Sequence, residues 1–219
     1  MAGFLDRFRN RDIRNRIKNP VDEYWDRKLG IHTFGHHVGT GVPGETDAFL
    51  PFVPSTYADI FAYLKGVDIG PNDVFVDLGS GLGRTAFAAS WMGAKRAVGV
   101  ELIQSLTDGA EANRKHSVLS NRDIEFVCAN ALEFNEPDMT ILYMFHPFGE
   151  AILEQVLDNL GKTRSAATDA KKLRIVYANP CYNDALARTG WLRKTAHIPG
   201  VKRPFSSAGV FDAALWESI

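Results

Sequence analysis

Hydrophobic and polar positions along the chain fall into blocks that predict strands and helices in turn. The apolar run DVFVDL begins at residue 73, and a glycine-rich turn and the small-residue run TAFAASW follow it, which suits a strand leading into a helix. Further strand-like runs are KRAVGVEL, IEFVCANALEF, MTILYMF and KLRIVYANP, and helical spacing follows most of them. The last two runs, LRKTAHI and AGVFDAALWESI, have no helix between them. They must pair antiparallel, because a parallel return needs a crossover of about a dozen residues.

These blocks predict an α/β fold, a doubly wound and mostly parallel sheet of seven strands with a C-terminal antiparallel hairpin and helices on both faces. We assign this domain to residues 54–219. It starts with a helix that Ser55 or Thr56 can cap and that Gly66 ends. Tyr57, near the start of that helix, is expected either beside the crevice at the sheet edge or packed between helix and sheet.

Residues 1–53 differ from the rest and are predicted to form a basic arm followed by a glycine-rich loop, a candidate lid. Residues 1–20 carry six Lys or Arg against two Asp, but their apolar residues do not share one helical face. A solvated or partner-contacting arm is therefore favoured over a membrane-surface helix, and contact with an anionic surface stays an alternative. The histidines of the loop, His32, His36 and His37, lie among glycines that disfavour a helix, so no metal site is expected.

Composition narrows the function classes. The net charge is −1 and the pI is about 6.6, which argues against a nucleic-acid partner. No apolar run reaches the roughly 18 residues of a membrane span, and the first residues lack the apolar core of a signal peptide, so a soluble, cytoplasmic protein is expected. Cys128 and Cys181 lie far apart and are expected to be buried free thiols.

The candidate chemistry centres on the turn DVFVDLGSGLGR. Glycines at 79, 81 and 83 allow close approach of the backbone to a ligand, and the following helix presents unpaired N–H groups. A dinucleotide fingerprint would need its third glycine one residue later, where Arg84 stands. Asp77 would repel a pyrophosphate but attract the ammonium of a methionine moiety. The turn therefore favours S-adenosylmethionine, and a nicotinamide oxidoreductase stays an alternative.

A second acid, Glu101, ends the next strand 22 residues beyond Gly79, where a carboxylate can accept both ribose hydroxyls. With the D-x-G-x-G-x-G pattern, it makes the chain resemble small bacterial class I S-adenosylmethionine-dependent methyltransferases. In its cofactor half the chain is also similar to non-SET histone lysine methyltransferases and to the mitochondrial lysine methyltransferases of the ATP-synthase c-subunit. The resemblance implies S-adenosyl-L-methionine as cofactor, S-adenosyl-L-homocysteine as product, no metal, and the following cofactor-binding residues: Asp77, Gly79, Ser80, Gly81, Gly83, Glu101, Leu102, Asn130, Ala131 and Phe145.

The acceptor side is predicted at the ends of the fourth and fifth strands. Amide-directed methyltransferases carry Asn-Pro-Pro-aromatic after the fourth strand, whereas this chain has His146, Pro147 and Phe148, which disfavours N-methylation of adenine or glutamine. His146 is predicted to act as the acceptor-side base, and the alternative is that it only orients backbone or cofactor. Tyr57 and Asn179 are lesser catalytic candidates.

The predicted function is methyl transfer to an oxygen or nitrogen acceptor, with a small metabolite or sugar-linked substrate favoured. A protein lysine acceptor is the alternative within the enzyme class. A non-catalytic S-adenosylmethionine-binding protein is the alternative outside it.

Overall fold

The computed structural model describes residues 20–34, 54–166, 171–201 and 210–219. Within these ranges the chain forms helices and strands in the alternation expected from the sequence. The helices are α1 (Pro20–Leu29), α2 (Tyr57–Gly66), α3 (Arg84–Trp91), α4 (Gln104–His116), α5 (Glu150–Ala166) and α6 (Asn183–Arg188). The strands are β1 (Val74–Leu78), β2 (Arg96–Glu101), β3 (Ile124–Cys128), β4 (Ile141–Phe145), β5 (Arg174–Ala178), β6 (Leu192–Ile198) and β7 (Ala213–Ser218).

The seven strands form one sheet in the order β3-β2-β1-β4-β5-β7-β6. The first five strands of that order are parallel to one another, and β7 lies antiparallel to both β5 and β6. The predicted fold class, including the C-terminal antiparallel hairpin, is confirmed. The chain order reverses between β1 and β4, and in open α/β sheets ligands bind at the carboxyl ends of the strands at such a point.

Both faces of the sheet are covered, as an apolar central strand requires. One cluster packs residues of α2, α3 and α4 against side chains such as Phe75 and Tyr143. The opposite cluster packs α5 and α6 against Val76, Leu142 and Tyr177. Successive residues of a strand point to opposite faces of the sheet. Neighbours such as Phe75 and Val76 therefore belong to different clusters.

The N-terminal segment differs from the predicted arm and loop where it is described. Residues Pro20–Leu29 form helix α1, and Leu29 and Ile31 are fully buried in the same cluster as α2 and α3. This part of the segment therefore packs as a layer of the domain. Residues 1–19 and 35–53, which include His36, His37 and most of the predicted lid, lie outside the described residues, so the domain boundary stays a prediction.

Three further features bear on the predictions. None of the described helices is long and apolar enough to cross a membrane. The described ranges contain no group of three or more His, Cys, Asp or Glu side chains that could hold a metal ion. Cys128 and Cys181 are free, as expected, but both are exposed, so the expectation that they are buried is wrong. Cys128 is the last residue of the edge strand β3, and Cys181 lies three residues beyond the end of β5.

Candidate active site

The strand register brings the predicted site residues to one edge of the sheet. Leu78, the last residue of β1, pairs with Val100 on one side and with Met144 on the other. The glycine turn therefore emerges between the ends of β2 and β4. On the β4 side, Phe145 pairs with Ala178, so that His146 and Asn179 follow at the same level. One edge thus carries all the predicted site residues except Tyr57.

The turn between β1 and α3 has a backbone that requires glycine. Gly79, Gly81 and Gly83 have φ angles of 85°, 54° and 89°, in the left-handed region. A Cβ on Gly79 would lie 2.9 Å from the Cβ of Pro147, and one on Gly83 would overlap the ring of Phe126. The N–H of Gly79 donates to the carbonyl of Val100 at 2.8 Å. The turn is thus held between β2 and the residue that follows His146.

Ser80 contributes its backbone to this turn and directs its hydroxyl away from it. Its N–H donates to the carbonyl of Val100 at 3.0 Å. Its Oγ lies over β2, where a Cβ on Gly99 would come within 2.7 Å. This hydroxyl is buried and has no hydrogen-bond partner among the described residues. This orientation is compatible with the expected approach of the Ser80 main chain to a ligand, and that role stays a prediction.

Asp77 is a buried acid with no cation beside it in the described structure. Its side chain is 3 % exposed. Burial, and secondarily the negative charge of Glu101, raises the pKa of Asp77 to about 8, against a smaller lowering by a hydrogen bond from Thr85. At neutral pH most Asp77 carboxyls therefore carry a proton. A cationic ligand group placed here would favour the carboxylate form, which fits the ammonium of a methionine moiety.

Glu101 braces the turn from the neighbouring strand. One of its oxygens, Oε2, accepts the N–H of Gly81 at 2.9 Å, and the other, Oε1, accepts the N–H of Ile103 at 3.0 Å. A carboxylate offers about four lone-pair positions, so two remain for hydroxyl donors. The geometry leaves Glu101 able to accept ribose hydroxyls while its orientation is fixed by the backbone.

The residues predicted to lie around the adenine of the cofactor flank Glu101. Asn130, two residues beyond β3, is half-buried and uses Oδ1 to accept the N–H of Leu132 at 3.0 Å. Ala131 and Leu102 are also half-buried. Phe145 is half-buried at the end of β4, where its ring meets that of Phe211 edge-on at 5.0 Å. These positions are consistent with the expected cofactor-binding set, and their roles stay predictions.

His146 sits at the turn after β4 among aromatic side chains. It is 4 % exposed, and its Nδ1 lies 2.9 Å from the hydroxyl of Tyr177. The ring of Tyr182 lies 5.0 Å from its ring, between centroids. Burial lowers the pKa of His146 to about 4, so the imidazole is neutral at pH 7. A group with that pKa is a weak base at neutral pH, which favours the orienting alternative over proton removal.

The hydroxyl of Tyr177 is also the target of the backbone N–H of Tyr182. A tyrosine hydroxyl accepts two hydrogen bonds and donates one, so it can serve either tautomer of the neutral imidazole. Tyr177 therefore links His146 to the backbone that follows β5.

Two adjacent strands end in the same strained corner. His146 has φ 42° and Asn179 has φ 50°, and a proline follows each. Non-glycine residues rarely adopt this conformation, and it concentrates at functional sites. The Asn179 N–H donates to the carbonyl of Asp212 at 2.8 Å, which ties the second corner to the start of β7. At these two corners the backbone leaves the sheet after β4 and after β5, on the predicted acceptor side.

Tyr57 lies away from this group. It is fully buried, belongs to the cluster on the α2–α4 face, and donates its hydroxyl proton to Asp26 Oδ1 at 2.8 Å. Tyr177, which contacts His146, belongs to the opposite cluster. Burial, reinforced by the charge of Asp26, raises the pKa of Tyr57 far above its ordinary value. Of the two positions expected for Tyr57, it occupies the one packed between helix and sheet. Its contacts do not support a catalytic role.

Arg84 also has a role that the sequence did not indicate. It is 4 % exposed and donates from Nε to Thr33 Oγ1 at 2.7 Å and from Nη1 to the carbonyl of Ser55 at 2.8 Å. Asp22 and Asp26 of α1 lie 3.8 Å and 4.0 Å from its nitrogens. The first residue of α3 is therefore anchored to the N-terminal segment and does not line the glycine turn.

Sequence reasoning missed Tyr177, Tyr182 and this buried charge cluster. The i, i+4 spacing of Asp22 and Asp26 was a usable signal, because it places both carboxylates on one side of a helix. No comparable signal marks Tyr177, which lies inside a buried strand and differs from its apolar neighbours only by its hydroxyl.

Comparison with known proteins finds short sequence matches around the glycine turn. The family described as "Histone methylation protein DOT1" matches residues 52–126, which hold the glycine turn and Glu101. An uncharacterized protein of Methanocaldococcus jannaschii is 34% identical over 65 residues, 30% of this chain and 28% of that protein. The H3 lysine-79-specific histone-lysine N-methyltransferase of Caenorhabditis elegans is 32% identical over 81 residues, 34% of this chain and 9% of that enzyme. The matches thus span between about a tenth and a third of these relatives.

Solved structures match over most of the chain. An RNA methyltransferase from Salinibacter ruber, in complex with S-adenosyl-L-homocysteine, has a TM-score of 0.57 at 18% identity and covers 76% of this chain and 94% of its own. Magnesium protoporphyrin IX methyltransferase from Synechocystis, with bound cofactor, has a TM-score of 0.55 at 10% identity, covering 74% of this chain and 76% of its own. The sequence resemblance is confirmed, and the chain has the Rossmann-like fold of the class I S-adenosylmethionine-dependent methyltransferases.

Proposed function

We propose that this protein binds S-adenosyl-L-methionine and transfers its methyl group to an oxygen or nitrogen acceptor. The observation that carries the proposal is the buried, unpaired Asp77 carboxyl beside a glycine turn that Glu101 braces. A cationic methionine end suits Asp77, and ribose hydroxyls suit Glu101. A pyrophosphate would suit neither, which disfavours a nicotinamide dinucleotide. The solved neighbours with bound cofactor or its product support the same choice.

The cofactor supplies an activated methyl group, so the protein mainly has to hold donor and acceptor in line and exclude water. Asp77 would bind the ammonium, the main chain at Gly79–Gly83 would approach the methionine and ribose, and Asn130 with Ala131 would border the adenine. His146 and Asn179 would border the acceptor. Because burial lowers its pKa, the neutral His146 would orient an acceptor or the backbone and would not remove a proton from the acceptor.

Calorimetry at pH 7 tests cofactor choice and the role of Asp77 together. S-adenosylmethionine should bind, whereas NAD and NADP should not. Because a pKa of about 8 leaves Asp77 mostly protonated at pH 7, pairing with an ammonium should release nearly one proton. Titrations in two buffers of different ionisation enthalpy measure that release, and affinity should rise between pH 6 and pH 8. Binding of NAD with no binding of S-adenosylmethionine would overturn the proposal.

The acceptor is the finer part of the proposal. A small metabolite or sugar-linked acceptor remains the first candidate, on the near-neutral charge of the chain. A protein lysine is the second candidate, because the matched family is described by histone methylation. That match ends at residue 126, before the acceptor side begins. Several similar structures are named as RNA methyltransferases, but a shared fold at this identity says little about the acceptor.

Transfer of a radiolabelled methyl group into cell extract separates these acceptors. Label should appear in the small-molecule or saccharide fraction for the first candidate and in protein for the second. Label in RNA would refute the expectation that no nucleic acid is involved. Cofactor binding without label in any fraction would support a non-catalytic binding protein.

A further inference from the structure

A second feature of the molecule lies outside the candidate active site, on the surface formed by α1 and the end of α3. Three aromatic side chains, Tyr24, Trp25 and Trp91, surround the ammonium of Lys28 there. Its Nζ lies 5.6 Å from the ring centre of Tyr24, 4.7 Å from that of Trp25 and 4.9 Å from that of Trp91. All three distances are within the range of a cation–π interaction. We call Tyr24, Trp25 and Trp91 the aromatic box.

The rings of the box stand as walls. Tyr24 meets Trp25 at an interplanar angle of 80°, and Trp91 meets Trp25 at 72°. Trp25 forms the back wall and is held from behind by Phe61 of α2, 4.6 Å away between ring centres. Tyr24 is 52 % exposed and Trp91 is 41 % exposed, so the side walls face solvent. The box is therefore braced from inside and open to the outside.

Lys28 is a poor chemical match for the group that the box can hold best. A lysine ammonium is strongly hydrated and has three N–H donors. In the described part of the chain, Nζ of Lys28 makes no hydrogen bond or ion pair, and it lies over the three rings of the box. A quaternary ammonium has no N–H donor to satisfy, and its methyl groups gain from burial against ring faces. The box thus offers more to an alkylated ammonium than to Lys28.

We propose that the aromatic box is a binding site for an alkylated ammonium group and that Lys28 occupies it in the absence of that ligand. Lys28 reaches the box because it lies three and four residues after Trp25 and Tyr24 on α1, on the same side of the helix. It is exposed and tethered by a flexible stem, so it can leave without any change in the backbone. This site does not depend on the proposed methyl transfer.

The test follows the indole N–H signals of the full-length protein by NMR while tetramethylammonium is added. The chain has four tryptophans, and Trp191 and Trp216 lie outside the box, on the side of the sheet covered by α5 and α6. We expect the signals of Trp25 and Trp91 to shift saturably and those of Trp191 and Trp216 to stay. Equal shifts of all four signals, or none, would overturn the proposal.

Variants of Lys28 separate this site from a lysine that only links α1 to α3. Lys28→Ala should tighten tetramethylammonium binding by about three- to tenfold, because the competing cation is removed. Lys28→Arg keeps a cation in the box and should bind like the natural protein. Tyr24→Ala in the Lys28→Ala background removes an exposed wall and should weaken binding severalfold, with folding checked by circular dichroism. If Lys28→Ala lowers stability and binds nothing, Lys28 is only a link between the helices.

The same titration distinguishes two sources of the ligand. Choline represents a free metabolite, and a short peptide with trimethyllysine represents a modified protein, with its unmethylated form as control. Tighter binding of the trimethyllysine peptide than of choline would assign the box to a protein partner. Equal binding would assign it to a free quaternary ammonium. Binding of the unmethylated peptide as tightly as the methylated one would refute the preference for alkylated nitrogen.

Discussion

Replacing Asp77 by asparagine should make the protein more stable and at the same time weaken cofactor binding. The pKa of Asp77 is raised from 3.8 to about 8, chiefly by burial and then by Glu101. The folded protein therefore binds this proton more tightly than the unfolded chain does. Between these two values stability falls as pH rises, because the unfolded chain gains an ionised carboxylate that the folded site disfavours.

The size of the effect follows from the pKa displacement. One pKa unit corresponds to about 1.4 kcal/mol, so at pH 7, roughly three units above the unfolded value, Asp77 costs about 4 kcal/mol of unfolding free energy. At pH 5 the same reasoning gives roughly 2 kcal/mol. An asparagine keeps the shape and can still accept the hydrogen bond from Thr85, but it carries no proton to exchange. Asp77→Asn should raise the melting temperature by on the order of 10 °C at pH 7, and by less at pH 5.

Asp73→Asn is the matched control at the start of the same strand. Asp73 is also buried, but it accepts hydrogen bonds from Thr140 and the N–H of Gly70 and pairs with Arg174. Its replacement removes the carboxylate partner of Arg174 and should lower stability while leaving cofactor affinity unchanged.

Chemical and thermal denaturation between pH 5 and pH 8 give the stabilities, and calorimetry gives the affinities. Asp77→Asn should bind S-adenosylmethionine at least about thirtyfold more weakly, because a buried charge pair is lost. If Asp77→Asn is no more stable than the natural protein at pH 7, or if the difference does not grow with pH, then the pKa of Asp77 is not raised by burial and the reasoning is refuted.

Three further changes probe other parts of the site. At saturating cofactor, kcat should show no ionisation near pH 6.5, since burial lowers the pKa of His146 to about 4; a step there that His146→Ala removes would restore the base assignment. Because Asn179 has φ 50°, Asn179→Gly should exceed Asn179→Ala in stability by about 1 kcal/mol in urea denaturation, and equal values would exclude strain. Arg84→Met removes the guanidinium that faces the buried Asp26 and that donates to Thr33 and Ser55, and should cost about 3–5 kcal/mol, whereas a loss below about 1 kcal/mol would show the cluster to be dispensable.

The features that the sequence predicted are those with local signals. The glycine turn, Asp77 and the helix start lie within a dozen residues, so the chain itself dictates their arrangement. Glu101 was found because a parallel strand pair with a helical crossover fixes the spacing between two strand ends. The hairpin of β6 and β7 followed from a connection too short for a parallel return.

The features that the sequence did not predict depend on contacts between distant residues. Tyr177 and His146 are 31 residues apart, and only the pairing of β4 with β5 brings the hydroxyl to Nδ1. Tyr57 donates to Asp26 across 31 residues, and Arg84 reaches Ser55 across 29. A local pattern carries no information on which buried polar groups meet. The outcome for the predicted base, His146, depended on such long-range packing, because burial lowers its pKa.

The two buried acid groups on either side of the glycine turn have opposite electrostatics, and this difference explains what α1 contributes. Before the turn, Asp77 has no cation, which destabilises the folded state at neutral pH but leaves a site for a cationic ligand. After the turn, Arg84 is held by Asp22 and Asp26, so the first residue of α3 is fixed by charges from the N-terminal segment. Glu101 and the carbonyl of Val100 hold the turn itself, and the contacts of Arg84 hold the helix that follows it. The N-terminal helix thus supports the geometry of the proposed cofactor site without touching the turn.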